Sequence, residues 1–304
     1  MGDEGGWGRF KNWFWQRRHR RRRAREAGRQ WFLACGPKPA DWRQPPPWNR
    51  LNRLYPPDDW FWADPFLWSA EGRHYLFFEA YPYALGRGQI CRIEVNDRGE
   101  PLSEAKTVLA PPYHLSYPFL FEVDGILYMV PEQKTTRRVD VYRATAFPDR
   151  FERVTTWFQG VRMVDVTVFF DEDSGLWWLF ASEKRNGLRY DESLFAYTSP
   201  HPFEAQWTPH PMNPLVVNRQ GARCGGRIFR DSGGWLRPSQ DCLAHYGAGL
   251  CLNRVDLLSP SGYQESLLWR LSGADLGAYR GVHHLDVHGD LMVMDVERYW
   301  PSAG

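Results

Sequence analysis

Four carboxyl side chains stand where an apolar stretch would otherwise continue. Asp64 sits in Trp62-Ala-Asp64-Pro65-Phe66, and Glu79 closes His74-Tyr-Leu-Phe-Phe-Glu79. Glu132 ends Leu127-Tyr-Met-Val-Pro-Glu132, and Asp165 interrupts Val164-Asp165-Val-Thr-Val-Phe. Carboxyls brought close together raise one another's pKa, so that one can hold a proton while another stays ionised. Two carboxyls flanking a glycosidic bond are the minimum for glycosyl chemistry. Asp64, Asp165 and Glu132 are therefore the candidate catalytic groups. Arg223, Arg227 and Arg237 cluster around a Gly-Gly and an Arg-Pro-Ser-Gln-Asp241 stretch. Arginine forks grip carboxylate or phosphate with two parallel bonds, so these residues are read either as substrate contacts or as partners of the carboxylates. Glu79, His114, Tyr117, Asp241 and His283 complete the candidate binding set, with His284 beside it.

No His/Asp spacing defines a metal site. No Walker loop, dinucleotide glycine pattern, GxSxG or HExxH occurs. We expect neither metal nor cofactor.

The elements that must position these residues come from a degenerate repeat. Its unit is an apolar strand, a Gly-containing turn, a second aromatic strand ending in a polar residue, and a third strand. Copies begin near Asp64, Tyr117, Asp165, Gly226 and Gly281, at intervals of 53, 48, 61 and 55 residues. Those intervals suit four-stranded blades, and the turns suit hairpins. The expected fold is all-β, a five-bladed β-propeller. The strand Gln30-Trp-Phe-Leu-Ala34 is expected to close the ring as the outer strand of the last blade.

Residues facing each other across an antiparallel ladder have a constant sum of residue numbers. Turns near Gly72 and Gly125 then bring Asp64 to Glu79 and Tyr117 to Glu132. The same arithmetic predicts Gly226 beside Asp241, Asp165 beside Ser182 and Glu183, and Gly281 and His283 near Val296 and Glu297. All five hairpins would present polar or small residues at one end of the central channel.

The 304 residues are 43% hydrophobic, 24% charged and 16% aromatic with 16 Trp, which is compatible with a large core. Most of the aromatics are expected between sheets. Five cysteines form no CxxC pair. This argues against a zinc ribbon or disulfide framework and for a reducing compartment. No apolar run spans a bilayer and no signal-peptide core appears. We expect a cytoplasmic protein, peripheral to a membrane.

Residues 1–30 hold 10 Lys+Arg and 3 Asp+Glu, while the remainder holds 28 and 33. The chain thus divides into a basic, Trp/Arg-rich arm (1–29) and a mildly acidic propeller (30–304). Residues 7–25 fit an interfacial segment on anionic lipid, a nucleic-acid contact or a solvated tail. Specific nucleic-acid binding is not expected of the acidic body.

The segments Phe61-Trp-Ala-Asp64-Pro-Phe-Leu, His114-Leu-Ser-Tyr-Pro-Phe, Met129-Val-Pro-Glu132, Val164-Asp165-Val-Thr-Val-Phe, Trp207-Thr-Pro-His-Pro-Met-Asn-Pro and Arg237-Pro-Ser-Gln-Asp241 carry a family resemblance. Over residues 30–298 the chain resembles the N-terminal domain of glucosamine inositolphosphorylceramide transferases. That domain is similar in turn to the five-bladed propellers of glycoside hydrolase family 43 and of arabinanases, levansucrases and invertases. The resemblance implies Asp64 as general base and Asp165 as the carboxylate that tunes pKa and orients substrate. The hydrolases' Glu-Gly-Pro acid motif has no counterpart here, where Gly225-Gly226-Arg227 stands, and Glu132 is the substitute acid. The plant transferases also carry a separate glycosyltransferase domain, which this sequence does not include. Two functions follow as expectations. One is glycosyl transfer or glycosidic-bond chemistry on a carbohydrate or sugar-phosphate in glycan or glycolipid assembly. The other is a non-catalytic glycan-binding or scaffolding module beside a glycosyltransferase or formyltransferase; a protein-interaction propeller is the weaker third.

Overall fold

The computed structural model of the chain describes residues 28–204 and 206–299. The basic segment 7–25 lies outside the described residues. Within them the chain is almost all β, with one 3-10 turn at Trp48–Arg50 and no α-helix. No helix among the described residues is long and apolar enough to cross a membrane.

Five sheets form the five blades of a propeller. Blade one runs Trp60–Ala70, Arg73–Pro82, Gln89–Val95 and Lys106–Leu109. Blade two runs Ser116–Val123, Ile126–Glu132, Arg138–Ala146 and Arg150–Gln159. Blade three begins with Met163–Asp171, Leu176–Glu183 and Ser193–Ser199, and two short strands share its outer edge. In blade four, Gln220–Cys224 and Phe229–Asp231 both pair with Gly234–Asp241, followed by Gly249–Ser259 and Gly262–Ser272.

Blade five joins the two ends of the chain. Leu291–Tyr299 pairs with Arg29–Pro37 in unbroken register from Arg29↔Tyr299 to Pro37↔Leu291. The strand at Gln30 does close the ring, but as the third strand of its blade. Asn52–Leu54 adds outside it, through Leu33↔Leu54 and its neighbours, and is the outermost strand. A nine-residue ladder between the termini leaves no open sheet edge at the seam.

Aromatics and aliphatics fill the seams between blades. Phe66, Phe77, Phe119, Met129 and Leu179 pack among blades one to three. Leu33, Leu67, Leu76 and Val293 join blades five and one, and Phe169, Trp178, Phe180 and Ile228 join three and four. Both faces of a blade are therefore covered, so strands such as Trp60–Ala70 read as buried runs and not as clean alternations.

The channel-facing first strands share one irregularity. The ladder skips between Ala63 and Phe66, between Ser116 and Phe119, and between Val164 and Thr167. Asp64, Tyr117 and Asp165 sit in these bulges with φ of 51°, 43° and 55°. Left-handed backbone at a non-glycine residue is costly, and bulges that re-aim one side chain cluster at functional sites. In blade four the matching place is taken by Gly226, at φ 134°. A Cβ there would lie 1.8 Å from the Leu285 carbonyl oxygen. Gly226→Ala is expected to cost at least ~3 kcal/mol of unfolding free energy in urea titration, because backbone cannot yield as a side chain does. A cost under ~1 kcal/mol would contradict this packing of blade four on blade five.

The blade-four register differs from expectation. Asp241 pairs with Gln220, and Ser239 with Cys224. Gly226 does not reach Asp241 because the first strand breaks after Cys224, and residues 225–228 loop out before Phe229 resumes pairing with Leu236.

Candidate functional site at the channel mouth

The bulges aim Asp64 and Asp165 at the channel end where the second strands of blades one and two finish in Glu79 and Glu132. Ala63 faces Glu79, and Ser116 faces Glu132. Val164 faces Ser182 and Met163 faces Glu183 in blade three, and Gly281 faces Glu297 in blade five. The predicted pairings hold in all blades but the fourth, which instead brings Arg223 and Gln240 to the mouth.

Asp64 is bound from blades two and five. Its Oδ1 lies 3.2 Å from His283 Nε2, and its Oδ2 accepts the Tyr117 N–H at 3.3 Å. Its own N–H donates to Asp295 Oδ2 at 3.0 Å. Asp295 Oδ1 in turn faces His283 Nδ1 at 2.9 Å and accepts the backbone N–H groups of His283 and His284. The imidazole is thus clamped between two buried carboxylates. Burial alone would lower the His283 pKa, but Asp295 and Asp64 outweigh it and hold the ring protonated well above its ordinary value. Burial would raise Asp64, but the bond and charge of His283, with His284 and Arg223, hold it below the usual carboxylate value.

The other two glutamates go the opposite way. Burial, then the charges of Asp64 and Glu132, push Glu79 well up. Burial, then Asp165, push Glu132 well up against the pull of Arg223. The mouth therefore sets a carboxylate whose pKa is held down beside two glutamates whose pKa is pushed up, the division of labour that acid–base chemistry needs.

Glu79 Oε1 is buried without a hydrogen-bond partner. His114 Nδ1 accepts the Gly88 N–H at 2.8 Å, so its Nε2 carries the ring hydrogen, 3.6 Å from that oxygen. A glutamate that keeps its proton in the fold binds protons more tightly folded than unfolded. Stability then falls as pH rises from about 4.3, the ordinary glutamate value, toward the folded value. Glu79→Gln, permanently neutral, is expected to stabilise the fold at pH 8 by on the order of 1 kcal/mol, seen as a raised thermal midpoint. No gain is expected at pH 4. A destabilised variant at pH 8 would show Glu79 ionised in the fold.

Arg223 grips Asp165 with both ends of its fork, Nε–Oδ2 at 2.6 Å and Nη2–Oδ1 at 3.3 Å. It reaches Glu132 at 3.8 Å and lies over the half-exposed Tyr246 ring at 4.9 Å. Gln240 donates to Asp165 at 3.4 Å. The Tyr117 hydroxyl spans the channel, 2.8 Å from Thr167 Oγ1, and accepts the Gly226 N–H at 3.1 Å. It forms the floor with Phe66 and His284.

Arg227, Arg237 and Asp241 stand elsewhere. Arg227 lies deeper, bound to Asp286 at 2.9 Å and to the Leu120 carbonyl at 2.7 Å, bracing blades four, five and two. Arg237 is fully buried and forks onto Glu265 at 2.7 and 2.6 Å. Asp241 caps a turn through Leu243 N–H and faces Arg270.

Asp295, Tyr246, Gln240 and Trp31 were not anticipated. The Trp31 ring lies 4.3 Å from that of His283, tilted by 49°. Asp64, His283 and Asp295 also offer one ligand atom each within 4.8 Å of one another. A cation there would have to open the 3.2 Å contact between His283 Nε2 and Asp64. Clefts away from the mouth include one of about 690 Å³ between blades five and one and one of about 470 Å³ beside Glu265.

Residues 54–291 match the family model described as glucosamine inositolphosphorylceramide transferase 1, N-terminal. The chain is 32% identical over 251 residues to glucosamine inositolphosphorylceramide transferase 1 of Oryza sativa subsp. japonica, covering 78% of this chain and 33% of that protein. It is 32% identical over 235 residues to the Arabidopsis thaliana protein of the same name, covering 75% and 30%. The chain thus spans about a third of the length of these curated relatives. Among solved structures it is similar to the catalytic domain of Coprinopsis cinerea GH62 alpha-L-arabinofuranosidase, with TM-score 0.57, 12% identity, and coverage of 77% of this chain and 90% of that one. It is also similar to a thermostable family-43 glycoside hydrolase, with TM-score 0.54, 12% identity, and coverage of 78% and 88%. At these identities the likeness establishes the fold alone. The matched sequence and the shared propeller together place the chain in the family of the glucosamine inositolphosphorylceramide transferase N-terminal domain.

Proposed function

We propose that the channel mouth binds a glycan and acts on a glycosidic linkage in glycan or glycolipid assembly. Asp64 serves as base or nucleophile, Asp165 as the orienting carboxylate, and Glu132 or Glu79 as proton donor. The observation that carries this reading is Asp64, locked by the Asp295–His283 pair and held below the usual carboxylate value, beside two buried glutamates whose pKa is pushed well up. Such a pairing matches the needs of an oxocarbenium-like transition state flanked by an acid and a carboxylate. The name of the curated relatives, transferases of glucosamine inositolphosphorylceramide, supports a glycolipid setting.

A second reading is a glycan-binding module without turnover. It is favoured by the Arg223 fork, which already engages Asp165 and lies against Glu132. The test is one titration with two readouts: equilibrium binding of neutral glycans and sugar nucleotides, and mass spectrometry of the same mixtures over time. Product formation supports the first reading, and saturable binding without product supports the second. Neither binding nor product with any glycan would sink both.

A further inference from the structure

The acidic pit has a basic lip on one side. The second strands of blades two and three end at Glu132 and Glu183, so the segments 133–137 and 184–192 lie at the mouth. Segment 160–162 leads into the first strand of blade three and lies there too. These three segments hold six Lys or Arg against Asp191 and Glu192. At the far end of the channel, the five hairpin turns between first and second strands carry Glu71, Asp124, Glu172, Asp173 and Asp290 and no Lys or Arg. The body is acidic as a whole, so the positive lip is a local departure, and it favours approach of anions at the mouth.

Within the lip, cations differ in their partners. Arg185 and Arg189 have Glu183 and Asp191 within ion-pair distance. Among the described residues no carboxylate stands within 4.0 Å of Lys134, Arg137 or Arg162, and all three are exposed. Arg137 donates to the Gly160 carbonyl at 2.8 Å, which ties its loop to that of Arg162. Lys134 Nζ rests 4.7 Å over the Tyr190 ring. The charges acting on the Tyr190 hydroxyl after burial, Arg162, Glu132, Arg223 and Arg137, place that ring between lip and pit. Three cations without carboxylate partners, two of them held by Gly160 and Tyr190, beside a recess lined with carboxyls, suit a ligand with an anionic group at one end and hydroxyls at the other.

We propose that Lys134, Arg137 and Arg162 form a phosphate subsite on the blade two–three lip, so that the ligand of the pit is a phosphorylated sugar. The sugar half of this inference rests on the glycan reading above; the phosphate half does not. Soluble glycosyl phosphates and phosphoinositol lipid headgroups share the required chemistry.

The test compares the whole chain with its Lys134→Gln/Arg162→Gln variant. Both positions are exposed, and equal thermal midpoints check the fold. Soluble probes are glucose 1-phosphate, glucose and inorganic phosphate; membrane probes are vesicles of phosphatidylcholine with and without phosphatidylinositol. The expected result is that a phosphate-bearing probe binds and that the double variant weakens it by about tenfold or more, with any glucose binding unchanged. Binding of glucose 1-phosphate assigns a soluble source. Flotation with phosphatidylinositol vesicles alone assigns a lipid headgroup; residues 7–25 are common to both proteins, so the difference between them reads the lip. Loss of inorganic phosphate binding in the variant, with none of the glycans or sugar nucleotides of the titration above bound by either protein, keeps the phosphate subsite and sinks the glycan reading. Phosphate-bearing probes that bind both proteins equally, or neither, overturn the proposal.

Discussion

Asp64→Asn is expected to lower turnover of an accepted glycoside by about 10³-fold or more, the scale on which a positioned acid–base or nucleophilic group acts, while the propeller stays folded. Asparagine is among the few residues that tolerate left-handed backbone, so the φ of 51° at this position is retained. The backbone N–H still reaches Asp295, and the side-chain oxygen still accepts the Tyr117 N–H. What disappears is the negative charge 3.2 Å from His283 Nε2. The pH behaviour separates loss of chemistry from loss of structure. His283 has its pKa raised in the fold, so its stabilisation is complete below about 6.5, the ordinary histidine value, and is lost as pH rises through the folded value. Asp64 has its pKa lowered, so its stabilisation is present above about 3.9 and is lost as pH falls through the folded value. The variant should flatten both limbs of the stability profile. Unchanged kcat with a flattened profile would make Asp64 a structural anchor and remove it from the chemistry.

What was legible in the sequence follows from what hairpin arithmetic can see. Asp64 with Glu79 and Tyr117 with Glu132 were readable because short turns at Gly72 and Gly125 fix the register. The same sum failed at Gly226 because residues 225–228 loop out of the ladder, and nothing in Gly-Gly-Arg announces how many residues a bulge will absorb. Arg227 and Arg237 were grouped with Arg223 by proximity in sequence. The fold sends one down the channel to Asp286 and the other into its own blade against Glu265. A buried, partnered arginine and a binding arginine look alike in one dimension.

Asp295 was available to the same arithmetic: Leu285 pairs with Met294, which sets Asp295 across from His284. Its setting between Met294 and Val296 disguised it as core. Trp31 lies on the strand expected to close the ring, but no local turn fixes the register of Arg29–Pro37 against Leu291–Tyr299 that brings it to His283. Local patterning therefore revealed the carboxyls and left their orienting shell to the topology.

Arg223→Met should produce the largest loss of stability among single changes at the mouth. Asp165 is 2% exposed, and its two oxygens are held by the Arg223 fork. Methionine fills much of the aliphatic volume and provides no donor. Removing one partner of a buried pair leaves an uncompensated charge, at a cost of about 3–5 kcal/mol. Of the other bonds to the Asp165 carboxylate, that from Gln240 Nε2 at 3.4 Å is long, and the one shared with Glu132 brings no positive charge, so neither replaces the fork. Two companion measurements identify the cause. Adding Asp165→Asn to the variant removes the stranded charge and should recover most of the loss, as a double-mutant cycle would resolve. Lowering the pH should also help the single variant. Without the guanidinium, the downward pull of Arg223 on Glu132 is gone, so Glu132 in the fold binds its proton still more tightly than in the unfolded chain, and stability rises as pH falls toward about 4.3, the ordinary glutamate value. If the asparagine change adds a further loss to Arg223→Met, or if the single variant loses less than ~1 kcal/mol, the fork is not what holds Asp165 at the mouth. The orienting role assigned to that carboxylate would then fall with it.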